Sequence, residues 1–199
     1  MMTEKEVIET FEKSGALLKG HFKLSSGLHS EKYLQCALVL QHPDIAERLA
    51  KALANNFSAE QIDVVIGPAI GGVTLAYETA RALGVRGLFT ERHPSTGSGL
   101  QDGKMVLRRG FSISKGEKVL VVEDVVTTGG STKEVIDLVR SFGGDVVGVG
   151  SIIDRSSGAG IDFGAPFKPL ARVAVETFAE EKCPLCKKGT PITKPGSRR

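Results

Sequence analysis

Val119-Leu-Val-Val-Glu-Asp-Val-Val-Thr-Thr-Gly-Gly-Ser-Thr132 decides the reading of this chain. Four apolar residues end at two adjacent carboxylates, Glu123 and Asp124. A small-residue loop of hydroxyls and glycines follows, and then a helical pattern begins. A buried-type strand, a loop and a helix N-terminus together offer backbone N–H groups to a phosphate. The acidic pair just before the loop suits sugar hydroxyls or a phosphate-bound metal. Phosphate, polyol and divalent cation form an uncommon combination.

Outward from this segment, strands alternate with helices. Asp63-Val-Val-Ile-Gly-Pro68 reads as a short buried strand, and Gly71 to Leu83 as a helix closed by Gly84, a common C-cap residue. Gly87 to Thr90 and Val146 to Ile153 read as strands, Ser131 to Phe142 as a helix, and Arg172 to Val175 as a last strand. Pro43, a favoured first-turn residue, opens a helix carrying Ile45, Leu49, Leu53 and Phe57. Residues 3–19 have the spacing of an amphipathic helix. Short strands are expected around residues 20–27 and from Tyr33 to Leu40, and a hairpin over Met105 to Arg109 and Phe111 to Ser114. Residues 93–103 lack apolar periodicity and are expected as a mobile loop.

This alternation predicts an α/β fold: an open, mainly parallel twisted sheet flanked by helices, with a small N-terminal hood at about residues 20–40. One domain is expected over 1–180 and a basic tail over 181–199. Ligands on such sheets sit beyond the carboxyl ends of the strands, where Gly67-Pro-Ala-Ile-Gly-Gly72 and the Glu123 to Ser131 segment both fall.

Composition excludes several classes. The 199 residues are 41% hydrophobic and 25% charged, as in a globular domain. No run approaches the roughly 18 apolar residues of a membrane span, and no secretory signal opens the chain, so no membrane partner and a cytoplasmic location are expected. Net charge is +3, but Lys182, Lys187, Lys188, Lys194, Arg198 and Arg199 lie in residues 182–199, which hold no acid, leaving 20 cations against 23 acids over residues 1–181. With few aromatic platforms, no nucleic-acid partner is expected. A Walker-type Gly-x-x-x-x-Gly-Lys-Ser/Thr is absent.

The three cysteines, Cys36, Cys183 and Cys186, point to reduced thiols. Cys183-Pro-Leu-Cys186 has metal-ligand spacing, but structural zinc takes four ligands and the sequence supplies only this pair. Cys36 or a second copy of the chain are the candidates to complete it. No residue is assigned as a metal ligand at this stage.

The central segment resembles the phosphoribosyl-pyrophosphate (PRPP) signature of type I phosphoribosyltransferases: hydrophobic strand, two acids, two aliphatics, then Thr-Thr-Gly-Gly-Ser. The resemblance implies that Glu123 and Asp124 hold the ribose hydroxyls. It also implies that PRPP lies along Val125, Val126, Thr127, Thr128, Gly129, Gly130 and Ser131. Purine-directed relatives commonly carry Asp where Thr127 stands, which favours a base that arrives already acidic. Phe22-Lys-Leu-Ser-Ser-Gly-Leu-His-Ser30 with Tyr33 resembles the hood of orotate phosphoribosyltransferases, and Ile153-Asp-Arg-Ser-Ser-Gly158 their base-contacting segment. Orotate binding is thereby implied for Thr127, Arg155, Lys23, Ser25 and Tyr33, with Arg155 on the carboxylate or ring oxygens. His29 is a further hood candidate.

The same resemblance implies a pentosyl transfer from PRPP to orotate in pyrimidine biosynthesis, with Mg²⁺ bound mainly through PRPP. Asp124, Arg92 and Lys104 are the implied catalytic side chains. A homodimer is implied, with the loop at 91–104 closing over the neighbouring site. The chain departs from the family where a hood lysine is common (Ser25 here, Lys23 two positions earlier), and its 67–72 loop has no lysine. Arg92 matches the first cation of the family's mobile loop, His93 follows it, and the next cation is Lys104. Two rivals remain at this stage: a non-enzymatic regulator that binds PRPP as an effector, and a transferase of the same fold acting on a purine.

Overall fold

The computed structural model describes residues 2–24, 26–94, 103–156 and 160–195. Ser25, most of the 93–103 loop and residues 157–159 lie outside these.

Helix α1 (Glu4–Lys13) starts at a capping box, with Thr3 and Glu6 exchanging side-chain and backbone hydrogen bonds. The expected helix over 3–19 therefore stops early. Ser14 caps it, and Gly15 turns the chain in the left-handed region at φ 65°. Ala16 and Leu18 belong to the next element. Strands β1 (Leu17–Lys23) and β2 (His29–Leu34) pair antiparallel as a separate two-stranded sheet, the hood. The strand expected to reach Leu40 ends at Leu34, and Ala37–Leu40 forms one helical turn, α2. Helix α3 (Pro43–Asn55) follows with Pro43 in its first turn.

The main sheet contains β3 (Val64–Pro68), β4 (Arg86–Arg92), β5 (Met105–Val106), β6 (Lys118–Val126), β7 (Asp145–Asp154) and β8 (Phe167–Arg172). Its order is β5-β4-β3-β6-β7-β8, parallel except for the short β5. Helices α4 (Gly71–Leu83) and α5 (Gly130–Ser141) connect β3 to β4 and β6 to β7. The hairpin expected over 105–114 is absent. Met105 and Val106 pair instead with Arg92 and Glu91, and the chain turns at Arg109 and Gly110, both at positive φ. Arg109 is held there by two hydrogen bonds to the Glu91 carboxylate. The last strand lies earlier than expected. It carries Pro169 and pairs only with β7, an edge position that tolerates a missing N–H.

Alternation along β6 sorts the core into two layers. Leu120 and Val122 pack with Leu49 and Leu53 of α3, with Leu75 of α4, and with Phe57, which lies in the turn after α3 rather than on the helix as expected. Val119 and Val121 face the opposite way, against Val135, Ile136 and Val139 of α5. This is the period of two expected of a strand buried on both faces.

Candidate active site

Strand β6 does not stop at the acidic pair. It runs on to Val126 because β7 continues beside it, pairing Glu123 with Ser151 and Val125 with Ile153. The period of two therefore carries through Glu123 and Asp124 and sends them to opposite faces. Glu123 points toward α5, where the Thr132 hydroxyl donates to its Oε2. Asp124 points toward the Gly71 and Cys36 side. A Cβ at Gly71 would stand 2.7 Å from Asp124 Oδ2, so only glycine admits this approach.

Burial sets the charge state of both acids. It raises Glu123 to about 7, the Asp124 charge adding to the rise while the Thr132 hydroxyl and Arg92 work against it. Asp124 is raised by burial too, partly offset by the Val125 N–H, 2.9 Å from Oδ1, and by the Cys36 thiol. Burial pushes the Cys36 thiol itself well up, reinforced by Asp124. Among the described residues no Lys or Arg forms an ion pair with Asp124. A hard oxygen donor without a cation fits a Mg²⁺ that arrives on a diphosphate.

Beyond β6 the loop turns into α5 at Gly129, with φ 74°. A Cβ there would also meet the Phe163 ring at 2.8 Å. Thr127, Thr128 and Gly130 are exposed, and no side chain caps the helix. Its first-turn N–H groups are thus presented to an incoming anion.

Asp124, Val125, Thr127 and Thr128 form one wall of a cavity of about 420 Å³. Its lining also includes Tyr33 and Leu24 of the hood and Arg155 beyond β7. Arg155 is positioned by its backbone N–H, which donates to Val126 O at 2.8 Å. Its guanidinium is half-buried, forms no ion pair with a described residue, and its Nε has no hydrogen-bond partner. Desolvation lowers its pKa, while Tyr33 and Cys36 raise it. Tyr33 is raised by burial and by Asp124. A cavity of this size lined by both an unpaired guanidinium and a carboxylate accommodates a flat, anionic ring beside a polyol.

The structure thus brings together Asp124, Val125, Thr127, Thr128, Tyr33 and Arg155. Lys23 does not line this cavity; its ammonium lies 3.9 Å from Glu180. Ser25 lies outside the described residues. Arg92 and Lys104 border a different cleft, of about 680 Å³, with Glu134 and Asp137. There the Arg92 guanidinium pairs with Glu134 at 2.9 and 3.2 Å. His29 does not line the base cavity either but is buried in the hood. Thr132 and Cys36 are not among the expected site residues: Thr132 is one position past the phosphate loop, and Cys36 reaches Asp124 only through the packing of separate elements. Gly71 belongs to the 67–72 loop expected at the ligand crevice, and its closeness to Asp124 comes from the same packing.

A parallel sheet with a phosphate loop after β6, an acid at its end and a hood over a neighbouring cavity defines a phosphoribosyltransferase of type I fold. Residues 37–163 match the phosphoribosyl transferase domain family, and the chain belongs to it. Its group within that family is the orotate phosphoribosyltransferases. The orotate phosphoribosyltransferase of Caldanaerobacter subterraneus subsp. tengcongensis is 58% identical over 198 residues, covering 100% of both chains. That of Pelotomaculum thermopropionicum is 55% identical over the same length and coverage. Among solved structures, the Aeropyrum pernix orotate phosphoribosyltransferase superimposes with a TM-score of 0.70 at 29% identity, over 84% of this chain and 93% of that one. An adenine phosphoribosyltransferase from Thermoanaerobacter pseudethanolicus gives 0.60 at 20% identity, over 71% and 88%. The second likeness shows the fold alone, so the fold does not choose the base.

Proposed function

We propose that this chain transfers the 5-phosphoribosyl group of PRPP to orotate, releasing pyrophosphate and forming orotidine 5′-monophosphate for pyrimidine biosynthesis. The observation that carries the choice of base is Arg155: a half-buried guanidinium, unpaired among the described residues, facing a cavity of about 420 Å³. An orotate carboxylate supplies the missing partner, and the planar fork suits it. Thr127 brings no carboxylate to repel that anion. A purine would leave the guanidinium buried and unsatisfied, at a cost of about 1–3 kcal/mol.

In this reading the 5′-phosphate lies on the exposed loop from Thr127 to Ser131 at the N-terminus of α5. Asp124 accepts hydrogen bonds from the ribose hydroxyls. The Glu123 carboxylate supports the loop through Thr132 and reaches the sugar only if it turns from that hydroxyl. Loss of pyrophosphate leaves positive charge on the anomeric carbon, which the buried Asp124 carboxylate stabilises while the base nitrogen attacks. Asp124 would hold a Mg²⁺ that arrives with PRPP, and that ion would supply charge neutralisation for the departing pyrophosphate. The protein contributes positioning and the exclusion of water that would hydrolyse the activated sugar.

Arg92 and Lys104 act on pyrophosphate from a neighbouring subunit, and the enzyme is a homodimer. Support comes from their position on a cleft other than the one that holds Arg155. Residues 1–180 form the transferase domain and 181–199 its basic tail, in the cytoplasm. No helix among the described residues is long and apolar enough to cross a membrane.

A coupled assay offering orotate, hypoxanthine, adenine and uracil with PRPP tests the proposal. Turnover confined to orotate is expected. Turnover of a purine, or PRPP binding without turnover of any base, would overturn it in favour of the purine transferase or the non-enzymatic regulator.

A further inference from the structure

We propose that His21, His29, Cys183 and Cys186 form a tetrahedral zinc(II) site that fastens the C-terminal segment to the hood. His21 and His29 lie on the paired strands β1 and β2. Cys183 ends a 3-10 turn over Glu180–Lys182, and Cys186 lies on the short helix α6 (Pro184–Lys187). One ligand atom from each falls within 4.8 Å of all the others. Cys36, the third cysteine, is elsewhere, against Asp124.

The separations match a mononuclear centre. His21 Nε2 is 3.0 Å from His29 Nδ1, 3.5 Å from Cys183 Sγ and 3.6 Å from Cys186 Sγ, while Cys186 Sγ is 3.2 Å from His29 Nδ1. Tetrahedral geometry with Zn–N near 2.05 Å and Zn–S near 2.3 Å requires N···N of about 3.3 Å and N···S of about 3.6 Å. Hydrogen bonding does not explain the same arrangement. His21 Nε2 has one in-plane site, either a proton or a lone pair, yet three polar atoms converge on it.

Burial points the same way. His21, His29 and Cys183 are 3%, 1% and 0% exposed. Two thiolates and two neutral imidazoles make a zinc(II) centre electrically neutral, which suits a buried position. The other nitrogen of His21, Nδ1, is 2.8 Å from the Thr190 carbonyl. That hydrogen bond fixes the tautomer that leaves Nε2 free to coordinate. Both cysteines are reduced, and an S₂N₂ tetrahedral set favours zinc among common metals.

The site has work to do in the fold. The hood is an isolated hairpin, a unit that is marginal by itself. Backbone hydrogen bonds join it to the C-terminal segment from Phe178 onward: Lys23 N–H to Thr193 O, Thr193 N–H to His21 O, and Phe178 and His29 to each other. A metal bound only by the joined state adds its binding free energy to this docking. It thereby steadies the hairpin whose Tyr33 faces the base cavity. The inference does not depend on which base is used.

Metal analysis of the purified full chain should find one zinc per chain. Metal-free protein, prepared with chelator and reductant, should bind cobalt(II) with tetrahedral d–d bands and a thiolate-to-cobalt charge-transfer band. Trypsin should cleave after Lys187 or Lys188 in the metal-free protein and be retarded at least tenfold there by added zinc. Cys186→Ser and His21→Gln should weaken zinc binding by ~100-fold or more, while Cys36→Ser keeps the full metal content. Because a ligand variant that fails to fold would be uninformative, the cobalt spectrum of the wild-type chain decides. Absence of zinc from the purified protein together with no thiolate-to-cobalt band overturns the proposal, as does loss of metal in Cys36→Ser.

Discussion

Glu123 and Asp124 are neighbours in the chain, but their carboxylates lie on opposite faces of the sheet. Glu123 takes the Thr132 hydroxyl of α5, while Asp124 meets the Val125 N–H, Cys36 and the bare backbone of Gly71. The strand continues through both residues, so its alternation separates them. Only Asp124 lines the cavity that also holds Tyr33 and Arg155. The two acids therefore have separable roles.

Asp124→Asn should lower kcat/KM for PRPP by about 10–100-fold, the loss of charged hydrogen bonds worth about 1.5–3 kcal/mol. Glu123→Gln should lower it less than Asp124→Asn. Steady-state kinetics on both variants checks the ranking; undiminished turnover in Asp124→Asn would remove it from the ribose site.

Arg155→Ala should raise the orotate KM by at least ~30-fold through loss of about 2–5 kcal/mol of buried charge pairing. The PRPP KM should stay within about threefold, since only the base-side pairing is removed. Equal changes in both constants would show that Arg155 does not bind the base.

Gly71→Ala places a Cβ 2.7 Å from Asp124 Oδ2 and 2.8 Å from Oδ1. The carboxylate must move, so PRPP affinity should fall about tenfold and stability by about 1–3 kcal/mol. Isothermal titration and urea unfolding read the two effects separately.

Stability should depend on pH through Glu123. Its ordinary value of 4.5 rises to about 7 in the fold, so the folded state holds a proton that the unfolded state has lost between those values. This contribution is fully present below about pH 4.5 and is lost as pH rises to about 7, a decline of about 3 kcal/mol at most. The raised Asp124 acts in the same direction. Urea unfolding from about pH 4.5 to about pH 8 should show the decline, and Glu123→Gln should flatten its own share.

Subunit mixing tests the assignment of Arg92. If it serves the neighbouring site, mixing the impaired variants Arg92→Ala and Asp124→Asn should raise activity to about a quarter of wild type, above that of either variant alone. A mixture that forms mixed dimers and gains no activity over the separate variants would place Arg92 outside the shared site.

Local patterns in the chain determined the α/β architecture, the strand–loop–helix at 119–132 and the family. Apolar runs, Gly84 as a C-cap and Pro43 in a first turn report on nearest neighbours, so they are legible in one dimension. The same is true of Thr127 and Arg155, whose motif positions are also their positions in the site. The tertiary structure decided what depends on distant pairing. Strand β7 carried β6 past its acids and split Glu123 from Asp124. Long-range packing set Lys23 beside Glu180 and placed Cys183 and Cys186 beside His21 and His29, more than 150 residues away in sequence. Two of four zinc ligands had recognisable spacing; the other two lay on facing strands, brought together only when hood and tail closed on each other.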